Sequence, residues 1–81
     1  MGHYRWNNEK NEILKRERGI TFEQIIMHIE RGGLIEIVAN PNQEKYHGQQ
    51  LLVVEITKYI FLVPCVEIEA GKVLKTLIPS R

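Results

Sequence analysis

Thr21-Phe22-Glu23-Gln24-Ile25-Ile26-Met27-His28-Ile29-Glu30-Arg31-Gly32-Gly33-Leu34-Ile35-Glu36-Ile37-Val38-Ala39 is the stretch in which the chain changes its period. Up to Gly32 it reads as a helix. Thr21 is an N-cap with Gln24 three positions on, the capping-box pattern, and Ile20 and Ile25 fit a hydrophobic staple. Phe22, Ile25, Ile26 and Ile29 fall on one face at helical spacing and belong to the core. Gly32-Gly33 ends the helix. From Leu34 to Ala39 the spacing becomes that of a strand, closed by the turn signal Asn40-Pro41-Asn42.

Before this stretch lies a second helix start. Asn7 or Asn8 can accept from the free N–H groups of a first turn, and Glu9 suits the positive helix end. Lys15, Arg16 and Arg18 crowd the other end, where positive charge is favoured. Gly19 supplies the left-handed residue that stops a helix. Tyr4 to Trp6 is a short strand or a packed lead-in.

After Asn40 come a polar loop to Gln49 and two segments rich in β-branched and aromatic residues, Gln50 to Thr57 and Tyr59 to Ile68. The join at Thr57-Lys58 lacks the glycine or asparagine that a tight hairpin prefers. Glu69-Ala70-Gly71-Lys72 is a turn, and Val73 to Ile78 is a last strand. Pro64 marks an edge strand or a bulge. The expected architecture is a single α+β domain over 1–81. Its two N-terminal helices pack on one face of an antiparallel sheet of about four strands. Leu52, Val54 and Ile56 should face the helices, while Leu51, Val53 and Glu55 point to the far face. Both faces of the sheet are apolar. The far one is expected to meet another protein or a second copy of the chain.

Composition sets further bounds. The chain has 81 residues and a formal net charge of +1, so no global basic field advertises nucleic-acid binding. The cations are nevertheless gathered, Lys15, Arg16 and Arg18 in one place and Lys72, Lys75 and Arg81 in another. A single cysteine, Cys65, excludes an internal disulfide and reads as a small hydrophobe. His3, His28 and His47 are scattered without metal-ligand spacing, and no glycine-rich phosphate loop is present. No metal or cofactor is expected. The start of the chain lacks a signal-peptide layout, and no apolar run is long enough for a bilayer. A cytoplasmic protein is the expectation.

Trp6-Asn7-Asn8-Glu9-Lys10-Asn11, Gly19-Ile20-Thr21-Phe22-Glu23 and Leu77-Ile78-Pro79-Ser80-Arg81 together resemble the BrnT-like toxins of bacterial toxin–antitoxin pairs. The second motif is similar to their glycine-isoleucine-serine-phenylalanine-glutamate helix start. The third is similar to their final strand, isoleucine-isoleucine-serine-alanine-arginine. The resemblance implies a RelE-like fold, metal-independent RNA cleavage and neutralisation by a small DNA-binding antitoxin.

In such a scheme the ribose 2′-hydroxyl attacks the phosphate after His47 or Glu55 withdraws its proton. Lys75 and Arg81 stabilise the growing phosphate charge, and Lys45 and Arg18 hold the RNA backbone. The chain departs from the family pattern at Glu17-Arg18-Gly19, where lysine-histidine-glycine is usual, and at Thr76, where arginine is typical. Those departures favour the alternative of a non-catalytic interaction module of the same fold.

Overall fold

The computed structural model describes residues 3–80; Arg81 lies outside the described residues. Its elements in chain order are β1 (Tyr4–Arg5), α1 (Asn8–Arg18), α2 (Phe22–His28), β2 (Leu34–Ala39), β3 (Gln49–Ile56), β4 (Tyr59–Ile68), β5 (Gly71–Leu74) and β6 (Ile78–Pro79). A single π-type turn, Ile29–Gly33, extends α2 before the chain enters β2.

Both helix starts form as the side chains dictate. The Asn7 side chain accepts from the Lys10 N–H, and Gly19 closes α1 in the left-handed region at φ 71°. At Thr21 both halves of the capping box are made with Gln24. Asn11 fastens the two helices together. Its side-chain oxygen accepts from the Phe22 N–H at 2.8 Å, and its amide donates to Glu23 at 2.8 Å. Phe22 stacks on Trp6, with ring centroids 6.0 Å apart.

The sheet runs β1-β5-β4-β3-β2, with β6 also paired to β4. It is mixed rather than antiparallel, and it has six strands where about four were expected. Tyr4 and Arg5 pair in parallel with Lys72 and Val73. Gly71 makes this approach feasible, since a β-carbon there would collide with the His3 carbonyl. A two-residue strand carries no alternation to read, so sequence periodicity is silent about it.

The core lies between α2 and the sheet. Phe22 and Ile25 are fully buried, as are Leu52, Val54, Val63 and Cys65. The register places Val54 opposite Phe61 and Leu52 opposite Val63, so these residues share a face. Leu51, Val53, Leu62 and Val66 have the other parity and are half-buried. The β3–β4 hairpin closes at Thr57 and Lys58, both left-handed at φ 52° and 72°. This is the two-residue turn with two positive φ values, formed without glycine or asparagine.

The expected last strand from Val73 to Ile78 is broken. Cys65 faces Leu74, whereas Leu62 faces Ile78, so one extra residue lies between the two pairs on the later strand. The break lies opposite Pro64, whose carbonyl accepts the Lys75 N–H at 2.8 Å. In an antiparallel strand a residue's N–H and C=O point the same way, so the missing donor of Pro64 faces this edge. A bulge results. It reverses the parity of the residues beyond it, burying Leu77 and leaving Ile78 exposed.

Candidate functional site

A groove of about 770 Å³ opens between α1 and the later strands. Lys10, Ile13, Glu17 and Arg18 line it from α1, and Lys75, Thr76 and Ile78 from the bulge and β6. Leu51, Leu62 and Pro64 form an apolar floor, and Tyr46 borders it from the loop after β2. The floor residues Leu51 and Leu62 have the far-face parity of β3 and β4. Part of the second apolar face is therefore the bottom of a groove walled by α1. Leu14 of α1 is buried in the same core as Phe22 and Ile25 of α2 and Leu52, Val54 and Val63 of the sheet.

The local sequence explains why these groups converge. Asn11 and Leu14 are the buried side of α1, which leaves Lys10, Ile13, Glu17 and Arg18 on neighbouring faces. The bulge at Lys75 is set by Pro64, and it brings Lys75 and Ile78 to the groove with Leu77 in the core. Three cations, Lys10, Arg18 and Lys75, therefore share the rim with one carboxylate, Glu17. Lys75 is half-buried, while Lys10, Glu17 and Arg18 are exposed.

Of the residues nominated from sequence, Arg18 and Lys75 meet in this groove. Lys45 sits beside it, with its ammonium 5.3 Å from the centre of the Tyr46 ring. His47 is exposed in the same loop but does not line the groove. Glu55 is exposed near the hairpin end of β3, opposite Ile60. From Gln49 at the groove to Glu55 the strand runs about 20 Å, at ~3.3 Å per residue. His47 and Glu55 therefore do not belong to one site. Arg81 falls outside the described residues.

Lys10, Glu17, Tyr46 and Thr76 also line the groove without having been nominated. Two of these positions did carry a signal. Glu17, beside the Arg18 that stands where the resembled pattern has histidine, and Thr76, where it has arginine, both line the groove.

Among the described residues, no three His, Cys, Asp or Glu side chains cluster to hold a metal. Cys65 is fully buried, and burial pushes its thiol pKa up, the setting of a structural rather than a reactive cysteine. Among the described residues no helix is long and apolar enough to cross a membrane. Compared with protein-family models, curated proteins and solved structures, the chain matches none.

Proposed function

We propose that the protein is the toxin component of a type II toxin–antitoxin pair, acting on RNA as a metal-independent endoribonuclease. The supporting observation is the groove that brings Arg18 and Lys75 together with Lys10 and Tyr46 over an apolar floor. Cations spaced along a groove with an aromatic ring suit a sugar–phosphate backbone and its bases. Lys75 is the half-buried member, and charge stabilisation at a phosphate is strongest from a partly desolvated cation. The partner in this reading is a small DNA-binding antitoxin that covers apolar surface.

One observation favours the second reading, a non-catalytic module of the same build that binds such a partner. Neither nominated proton acceptor, His47 or Glu55, lines the groove with Lys75. A single experiment separates the two readings. The chain is induced alone in bacteria, and the purified protein is then incubated with RNA in the presence of a chelator. Growth arrest with chelator-resistant cleavage that is lost in Lys75→Ala and in Arg81→Ala supports the nuclease. Normal growth and intact RNA from a folded chain leave the binding module.

A further inference from the structure

The loop between β2 and β3 is far more ordered than its polar composition suggests. The Asn40 side chain accepts from the Asn42 N–H at 2.9 Å, and its amide donates to the Gln49 side chain at 2.7 Å. The Gln43 amide donates to the Asn40 carbonyl at 2.6 Å and the Gln49 carbonyl at 3.2 Å, while its oxygen accepts from the Gly48 N–H at 3.0 Å. The Tyr46 N–H donates to the Asn42 carbonyl at 2.9 Å, and the Tyr46 carbonyl accepts from the Gln49 N–H at 3.0 Å. Two residues suffice to join β3 and β4, so simple connection does not require this construction.

These hydrogen bonds fix the backbone at Tyr46. Tyr46 is 39% exposed and lines the groove. The Lys45 ammonium lies over the ring, 5.3 Å from its centre, and Lys45 is not part of the groove lining. Tyr46 shares the groove lining with Lys10, Arg18 and Lys75, and with the single carboxylate Glu17. An aromatic ring on a fixed backbone beside spaced cations matches an unpaired base and its neighbouring phosphates. A duplex offers no such face, because its bases are already stacked on both sides. An acidic peptide would engage the cations and the floor but has no use for the ring.

We infer that Tyr46 is a stacking subsite for one unpaired base, so that the groove selects single-stranded RNA by stacking rather than by base pairing. Asn40 and Gln43 are its positioning residues. The inference rests on the groove being the RNA site proposed above.

The test uses the full chain and a short 2′-O-methyl oligoribonucleotide carrying one 2-aminopurine. That probe cannot be cleaved through its 2′-oxygen, and its fluorescence falls when the base stacks. Wild-type protein is expected to bind and quench it. Tyr46→Ala should lose the quench and bind about 10-fold or more weakly. Tyr46→Trp should retain both, and Gln43→Ala should weaken the quench. Thermal unfolding of each variant shows whether the fold is intact.

An unchanged quench in Tyr46→Ala overturns the inference. So does a duplex of the same sequence, or a hexaglutamate peptide, that competes as well as the single strand. If Lys75→Ala weakens binding while Tyr46→Ala does not, the groove stands and only the stacking subsite falls. If the wild-type chain binds no RNA, both proposals fall together.

Discussion

Asn11 shows how much can depend on one side chain. It is the buried polar residue of the core, and it satisfies the first N–H of α2 from a neighbouring helix. Replacing it with alanine leaves the Phe22 N–H without a partner, which costs about 1–3 kcal/mol. Urea unfolding of Asn11→Ala should show that loss, and an unchanged midpoint would remove this role. The same residue acts on Glu23, because its amide donates to the carboxylate and holds the pKa below the ordinary carboxylate value. A depressed folded pKa contributes stability that is present above the unfolded value and is lost as pH falls through the folded one. The melting temperature of the wild type should therefore drop more than that of Glu23→Gln between about pH 6 and about pH 3. Asn11 was unreadable as a core residue in the sequence, since its partners are 11 and 12 positions away.

At the scale of elements, two junctions carry the clearest tests. Thr57 and Lys58 hold left-handed backbone conformations that cost non-glycine residues ~1–2 kcal/mol each. Thr57→Asn with Lys58→Gly should raise stability by about 1–2 kcal/mol, measured by chemical unfolding, without moving the β3–β4 register. A loss of stability would mean that the side chains there do something the backbone does not reveal.

The bulge opposite Pro64 makes a sharper prediction. Leu77 is 2% exposed and Ile78 is 43% exposed. Leu77→Ala should cost about 2–5 kcal/mol, and Ile78→Ala well under ~1.5 kcal/mol. An unbroken strand from Val73 would reverse that order. Here the sequence was legible in part. Pro64 announced an irregularity, and Leu74 and Leu77 are three apart, which neither strand face allows without a slip. The parallel pairing of β1 was not legible, because two residues carry no period and their partners lie at the other end of the chain. The helix ends were legible to the residue at Gly19 and Thr21, and to one of two residues at Asn7, where capping is a local matter of side chain against backbone.

At the scale of the whole molecule, this small α+β domain leaves charge and apolar surface together in one groove. The cations read from sequence as two clusters, and part of each ends up in one groove, Arg18 from α1 and Lys75 from the bulge. That convergence depends on tertiary placement of α1, for which no sequence periodicity speaks. Neither of the two alternative bases lines the groove: His47 lies in the loop before β3 and Glu55 near the far end of that strand. The central claim is that this groove holds an RNA backbone, and the salt dependence of binding tests it most directly. Each phosphate neutralised on a single strand contributes a slope of ~−0.7 in log affinity against log salt. With Lys10, Arg18 and Lys75 engaged, a short 2′-O-methyl oligoribonucleotide should bind with a slope of about −2. Arg18→Gln and Lys75→Gln should each make that slope shallower by ~0.7. A slope near zero, or one that neither substitution changes, would contradict the account.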